Sequence, residues 1–465
     1  MKVLLINPRQ HFKEGNIWKS VMGCVPPLGI AQLAAYLLKK GIDVRIIDAN
    51  AESLDGPGLL ARIRGVAGAY GVPDFTGITS TTNTFFQAVL AGKIVKEALP
   101  DTILVAGGVH ATILPEDFLK QEVFDLCVRG EGEIPLFELV SGKNRAEILS
   151  LSYRMDDGKI AHNPPGPQFE NMDALPMPAY ELLPMGSYRP SLGGYKKLPA
   201  IGMVTSRGCP GKCTFCYGQY FGKKVRFRSA EVIIKEIKYL IAEHGIKEVS
   251  FYDDTFTAAR ANLIKFCELA VSEDLSVIWS CFSRTDFVTP EILGLMKKAG
   301  CHQICYGIES GDEGILRNIQ KNVSLKTAKE AIRLTKSFGI EARATFMLGN
   351  PGETKETLMK TYRFAVEIDP DIALFNITTP FPGTAMFDWA SSNGYIKTYN
   401  WSDYDLSKPV MEIPGLASGE IEKYYSMFHK KFYSRPKYLL RRLLKITSFS
   451  QVKESLTALR AVFGR

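Results

Sequence analysis

The chain has 465 residues, 46% hydrophobic and 23% charged, with a formal net charge of +8. This composition excludes a disordered chain and gives enough length for two or three ordinary domains. The most apolar stretch, Leu28–Leu38, contains Gln32 and falls short of the ~18 residues a membrane span requires.

The chain opens on the strand-like run Val3-Leu4-Leu5-Ile6 without a signal-peptide pattern, so a cytoplasmic protein is expected. Strand and helix signals then alternate over residues 1–145. Strands are read at Val3–Asn7, Val44–Asp48, Gly77–Ser80, Ile103–Ala106 and Asp125–Val128, with helices at Leu28–Lys40 and Phe85–Ala98. Short apolar strands between amphipathic helices predict an α/β domain with a doubly wound, Rossmann-like parallel sheet. Such sheets bind ligands beyond their C-terminal strand ends. The runs Ser80-Thr81-Thr82-Asn83-Thr84 and Gly107-Gly108-Val109-His110 fall at two of those ends.

Residues 146–198 read as an extended linker, because eight prolines fall between Pro164 and Pro199. From residue 199 the alternation resumes. Strand-like runs stand at Ile201–Thr205, Glu248–Tyr252, Ser276–Ser280, Gln303–Ile308, Glu341–Leu348 and Ile372–Ile377, separated by helical runs such as Ala230–His244 and Leu325–Phe338. Six βα units suit a partial (β/α)6 barrel over residues 199–400. Residues 401–465 read as a helical, basic C-terminal region. Residues 420–465 carry eleven Lys or Arg against three Glu, which matches the excess of the whole chain. This tail reads either as a helix packed on the barrel with solvated charges or as contact with an anionic membrane surface or a lipid-like substrate.

Directly after the first strand of the second domain stands Ser206-Arg207-Gly208-Cys209-Pro210-Gly211-Lys212-Cys213-Thr214-Phe215-Cys216-Tyr217. Three thiolates on one loop can bind three irons of a cubane cluster and leave the fourth iron open. Gly208, Pro210 and Gly211 allow a tight turn, and Arg207, Lys212 and the basic run Lys223–Arg228 would balance the anionic cluster. A structural zinc site is the rival reading, but it wants four N or S ligands and no fourth stands nearby. Cys24, Cys127, Cys267 and Cys281 read as small buried hydrophobes, and Cys301 and Cys305 as part of an apolar strand, with a metal pair as the alternative.

The CxxxCxxC loop resembles the signature of the radical S-adenosylmethionine (SAM) superfamily. The resemblance implies that Cys209, Cys213 and Cys216 ligate a [4Fe-4S] cluster and that SAM chelates its open iron. It also implies one-electron cleavage of SAM to a 5′-deoxyadenosyl radical that abstracts hydrogen from the substrate. Further motifs stand at successive strand ends: Phe251–Thr257, Trp279–Arg284, Gly307–Gly311, Phe346–Thr354 and Pro380–Thr384. On this basis Tyr217, Asp253, Asp254, Arg284, Glu309, Ser310, Gly349 and Gly352 are expected to contact SAM. The acidic residues would take its ammonium or ribose hydroxyls, Arg284 its carboxylate, and the glycines would let backbone approach adenine. The family's GGE pattern is replaced here by YDDTFT.

The first domain resembles the cobalamin-binding domain that precedes the radical SAM domain in one subgroup. The residues that carry this likeness are Asn7-Pro8, Pro26-Pro27-Leu28-Gly29, Ser80-Thr81-Thr82, Gly107-Gly108, His110 and Arg129-Gly130-Glu131-Gly132-Glu133. The DxHxxG motif is absent, so cobalamin is expected without a His ligand from that motif. The resemblance implies a C-methyltransferase acting on a small-molecule or lipid substrate, supplied by an external electron donor of flavodoxin or ferredoxin type. The alternatives are an oxidative cyclase of the magnesium-protoporphyrin ester type, and a non-catalytic cobalamin or iron-sulfur sensor. No nucleic-acid partner is expected.

Overall fold

The computed structural model describes residues 1–11, 21–218, 222, 224–444, 457, 460 and 463. Lys223 and most of the tail beyond residue 444 lie outside the described residues. The chain divides into two compact units. The first comprises 1–11, 24–188 and 400–403; the second comprises 12–23, 189–399 and 404–465.

In the first unit the strands are β1 (Lys2–Asn7), β2 (Asp43–Asp48), β3 (Phe75–Thr79), β4 (Ile103–Gly107), β5 (Leu126–Val128), β6 (Leu151–Arg154) and β7 (Ile160–His162). They lie in the order β2-β1-β3-β4-β5-β6-β7. The first five pair in parallel and the last two are antiparallel. The helices are α1 (Leu28–Lys39), α2 (Gly56–Tyr70), α3 (Phe85–Ala98), α4 (Val109–Ile113), α5 (Pro115–Leu119) and α6 (Glu133–Val140). The 2-1-3-4-5 order reverses between β1 and β3, and the crevice outside those strand ends is where such sheets take ligands.

The expectation of one extended linker over 146–198 fails at its start. Leu151–Arg154 and Ile160–His162 form a hairpin that extends the sheet, because Asp156-Asp157-Gly158 supplies the turn and the strand residues pair across it. The proline-rich remainder up to Tyr188 packs on this unit. The Tyr188 hydroxyl donates to Asp48 Oδ2 at 2.7 Å, and Phe169 N donates to Glu131 Oε2 at 2.9 Å.

In the second unit the strands are β8 (Ala200–Met203), a short ribbon of β9 (Ser206–Arg207) and β10 (Arg226–Phe227), then β11 (Glu248–Phe251), β12 (Ile278–Ser283), β13 (Cys301–Glu309), β14 (Glu341–Leu348) and β15 (Ile372–Ile377). The six long strands lie side by side in chain order, all parallel, as a partial barrel. The helices are α7 (Ala230–His244), α8 (Arg260–Ser272), α9 (Pro290–Lys298), α10 (Glu313–Asn318), α11 (Leu325–Ser337), α12 (Lys355–Ile368), α13 (Ala385–Ser392), α14 (Ser418–Tyr433) and α15 (Pro436–Leu444).

Strand β14 shows why the sheet is two-faced. Ala342, Ala344, Phe346 and Leu348 are buried on one face, while Glu341, Arg343, Thr345 and Met347 on the other are only half-buried. Trp279, Phe251, Phe256 and Phe266 form an aromatic cluster under the first strands, and each such ring contributes on the order of 2–3 kcal/mol on burial. Among the described residues no helix is long and apolar enough to cross a membrane.

Candidate active site

The cysteine loop leaves the C-terminal end of β8, and Asp253 holds its root. This carboxylate, 1% exposed, accepts Thr205 N at 2.8 Å, Thr205 Oγ1 at 3.0 Å and Ser206 Oγ at 2.6 Å, and also Ser206 N. Burial pushes its pKa up to about 6 despite those donors. Asp253 therefore clamps the loop, in contrast to the open SAM contact expected of it.

Beyond Gly208, at φ +95°, the three sulfurs gather around a small patch. A Cβ on Gly211 would sit 3.4 Å from Cys209 Sγ and 3.8 Å from Cys213 Sγ, and one on Gly218 would sit 3.4 Å from Cys216 Sγ. Gly211 N and Gly218 N donate to Cys209 Sγ and Cys216 Sγ at 3.5 and 3.3 Å. Thr214 is tied on both sides, its N to Ile319 O at 3.0 Å and its O to Met386 N at 2.9 Å.

Burial pushes the Cys216 thiol up to about 11 and raises Cys213 as well, so protons must leave when metal enters. Among the described residues no three His, Cys, Asp or Glu side chains converge tightly enough to grip one metal ion. A cubane asks for a looser triangle, since each sulfur binds a different iron. The donor set, the bare glycines and the neighbouring cations thus fit a cluster better than mononuclear zinc.

Those cations are Arg284 and Lys321. Arg284 lies at the end of β12 and forks onto Asp286, with Nε–Oδ1 at 3.0 Å and Nη2–Oδ2 at 2.9 Å. Burial opposes its charge, but Asp286, Cys213 and Cys209 hold its pKa above the usual arginine value. Lys321, absent from the sequence reading, is 8% exposed and donates to Glu309 Oε1 at 3.0 Å. Burial works against this ammonium too, yet Glu309 and Cys213 together raise its pKa. It is presented between Gln320 and Asn322, both left-handed at φ 52° and 50°. No spacing rule signals it, because its partner stands twelve residues earlier, on the far side of α10.

The remaining expected SAM contacts divide. Asp254 is exposed, its Oδ2 3.2 Å from where a Gly218 Cβ would be, and burial of part of the carboxyl raises its pKa. Tyr217 is half-buried on the same loop. Ser310 is fully buried and turned into α12, 3.2 Å from Thr361 Oγ1. Gly349 and Gly352, at φ +89° and +81°, face Ile421 and Asn318 rather than open space. They shape the turn into α12, where Glu353 Oε2 accepts Gly349 N and Asn350 N at 2.6 and 2.8 Å.

In the first unit the hydroxyl run also divides. Ser80 and Thr82 are buried, with Ser80 Oγ donating to Thr81 O at 2.8 Å, while Thr81 is exposed and donates to Asn83 Oδ1 at 2.7 Å. Gly108 is needed for close approach: at φ +89°, its Cβ would fall 2.6 Å from Ser80 O. Gly132 packs against Leu33. His110 is fully buried among Phe85, Phe118 and Trp401, with Nδ1 3.4 Å from Thr82 Oγ1 and Nε2 3.3 Å from Asp117 Oδ2. It is a core residue, although the likeness to cobalamin-binding domains placed it among the expected cofactor contacts. Burial alone would raise the Asp117 pKa, but the adjacent His110 ring and the hydrogen bond from Trp401 Nε1 outweigh it and lower it. Gly29, two residues after Pro27 and beside Leu28 at the start of α1, and Gly107 at the end of β4 have nothing within 4 Å of where a Cβ would stand. Those open backbone surfaces, with Thr81 and Asn83, fit the polar tail of a cobalamin.

An α/β domain with a topological switch point, joined in one chain to a partial barrel with a three-cysteine loop at its mouth, has the organisation of an iron-sulfur enzyme that carries a second cofactor-binding domain. Residues 203–365 match the radical SAM superfamily and residues 17–140 the B12 binding domain. An uncharacterized methyltransferase of Pyrococcus horikoshii is 36% identical, the match covering 100% of this chain and 99% of that protein. The anaerobic magnesium-protoporphyrin IX monomethyl ester cyclase of Rubrivivax gelatinosus is 30% identical over 94% of this chain and 78% of its own length. The radical SAM methyltransferase TsrM of Kitasatospora setae, solved with cobalamin and a [4Fe-4S] cluster, shares the fold at a TM-score of 0.73 and 18% identity, covering 100% of this chain and 99% of that one. The chain belongs to the cobalamin-binding radical SAM enzymes, whose cofactors are a [4Fe-4S] cluster, SAM and cobalamin.

Proposed function

We propose that the chain is a C-methyltransferase that transfers a methyl group to an unactivated carbon of a small molecule. The observation that carries this reading is the gathering of the Cys209, Cys213 and Cys216 sulfurs at the barrel mouth, in one chain with a cobalamin-binding domain. Cys209, Cys213 and Cys216 would hold the cluster, which would supply the electron for SAM cleavage, and the first unit would hold cobalamin as the methyl carrier, so each turnover would use one SAM for the radical and one for the methyl.

The chain's own residues position these groups. Asp253 fixes the loop root, so the sulfurs hold one geometry. Asp254 accepts the SAM ammonium beside Cys216. Arg284 and Lys321 would lower the cost of the negative cluster, and Arg284 would pair with the SAM carboxylate. The open backbone at Gly29 and Gly107 would receive the cobalamin tail. An external one-electron donor of flavodoxin or ferredoxin type supplies the electron.

The cyclase relatives favour a second reading, an oxidative ring closure with the same cofactors. Reconstituted, reduced enzyme given cobalamin and methyl-deuterated SAM separates the two. Methyl transfer yields S-adenosylhomocysteine together with 5′-deoxyadenosine. Release of 5′-deoxyadenosine without S-adenosylhomocysteine supports the cyclase reading.

A further inference from the structure

Helix α15 has its polarity inverted relative to a solvated surface helix. Arg441 and the preceding Arg435 face the protein. Arg441 Nη1 lies 2.7 Å from Asp369 Oδ2, and Arg435 Nη2, one residue before the helix, lies 3.1 Å from Asp369 Oδ1. The Tyr438 hydroxyl donates to Asp371 O at 3.3 Å and its ring is 9% exposed. Burial would raise the Asp369 pKa, but Arg441, Lys336, Arg435 and Lys437 overcome it and lower it, so this carboxylate stays charged as the anchor. The leucines face outward: Leu440, Leu443 and Leu444 are 61%, 66% and 77% exposed, and Leu439 is 38% exposed. Positions i, i+1, i+4 and i+5 share one side of a helix, so these side chains form a single apolar strip. A solvated helix places charge there.

The occupant is identified by charge. Lys437 is 82% exposed along the side chain at the edge of the strip, Arg442 is half-buried beside it, and the helix has no acidic residue. The sequence that follows continues the pattern. Phe449, Val452, Leu456, Leu459 and Phe463 recur at alternating spacings of three and four, and Lys445, Lys453, Arg460 and Arg465 stand against Glu454 alone. Two basic segments repel one another, so the strip is poorly matched to this chain's own following residues or to a second copy of itself. An apolar strip edged by cations matches an anionic lipid surface, which receives leucines into the acyl boundary and cations at the headgroups. We infer that the exposed leucine strip of α15 docks the enzyme peripherally on an anionic membrane. This inference does not depend on the reaction proposed above.

The test is flotation of the full chain with vesicles of mixed phosphatidylglycerol and phosphatidylcholine, and with phosphatidylcholine alone. The expected result is co-flotation with the anionic vesicles and roughly ten-fold or greater loss on the neutral ones or at high salt. The double variant Leu440→Glu with Leu443→Glu is expected to lose binding by a similar factor. Its fold is expected to be intact by circular dichroism, because both side chains are exposed. Three outcomes overturn the inference. The wild type stays unbound on both vesicle types; or the double variant floats as well as wild type; or the leucine strip is already covered without lipid. Covering would show as a lowered melting temperature of the double variant, or as a dimer in light scattering that the double variant converts to monomer.

Discussion

Replacing Lys321 with Met removes the cation from a pair that is nearly sealed from solvent, the two side chains being 10% and 9% exposed. Glu309 would be left buried without its ammonium. Deleting one partner of such a pair costs about 3–5 kcal/mol, because the residual charge loses its partner while its desolvation remains. The exposure is low enough that solvent screening discounts this little. For a unit of this size, about 2 °C of melting temperature accompanies each kcal/mol, so K321M is expected to melt roughly 6–10 °C below wild type. The double variant K321M/E309Q, in which no charge is stranded, is expected to regain most of that loss, giving a coupling of at least about 2 kcal/mol. The assay is thermal unfolding of the metal-free chain at neutral pH, which isolates the pair from cofactor binding. Melting of K321M within about 2 °C of wild type, or a double variant as unstable as the single one, would refute the claim that Lys321 and Glu309 hold one another.

Other outcomes follow from the same geometry. Cys209→Ala, Cys213→Ala or Cys216→Ala is expected to leave the fold intact and to cut iron retained after reconstitution by more than half, measured by iron and sulfide analysis. Asp253→Ala strands the donors of Thr205 and Ser206 and is expected to cost about 3 kcal/mol and to loosen the cluster loop, whereas Asp253→Asn keeps an acceptor and costs about 1 kcal/mol, read by denaturant unfolding. Glu353 is fully buried, and burial pushes its pKa up to about 8 from an ordinary value of 4.5. Between those values the folded chain holds a proton that the unfolded chain has lost, so stability falls as pH rises through this window and is level above it. Glu353→Gln, which keeps an acceptor for Gly349 N and Asn350 N, is therefore expected to raise the melting temperature at pH 8 and to change it little at pH 5. Equal shifts at both pH values would contradict the buried, proton-holding state. His110→Ala is expected to destabilise the first unit by about 2–4 kcal/mol by opening a cavity among Phe85, Phe118 and Trp401, without altering the spectrum of bound cobalamin.

The sequence disclosed the architecture where a period of hydrophobicity meets a turn signal. The five parallel strands of the first unit and the six of the second follow from short apolar runs between amphipathic helices. The hairpin at 151–162 stayed hidden because its strands are short and precede a dense run of prolines. The cysteine loop was legible because the ligands of a cluster are contiguous in sequence. Most of the other candidate contacts were ambiguous for the opposite reason. Asp253 and Asp254 are neighbours in sequence, yet one is a sealed clamp and the other an exposed carboxylate. Ser310, Gly349, Gly352 and Gly132 read as ligand residues because small and hydroxyl side chains serve ligands and tight packing alike, and here they serve packing. Lys321 was missed because a buried ion pair is defined by a partner twelve residues away and beyond a helix, not by a local pattern.

The most direct measurement of the central claim is electron paramagnetic resonance of the anaerobically reconstituted, reduced enzyme, with and without SAM, alongside iron and sulfide counts. The expected result is about four irons and four sulfides per chain and a cubane spectrum that changes when SAM is added, the sign of an iron open to it. A preparation that holds zinc, or fewer than about four irons, or a cubane whose spectrum is indifferent to SAM, would contradict it.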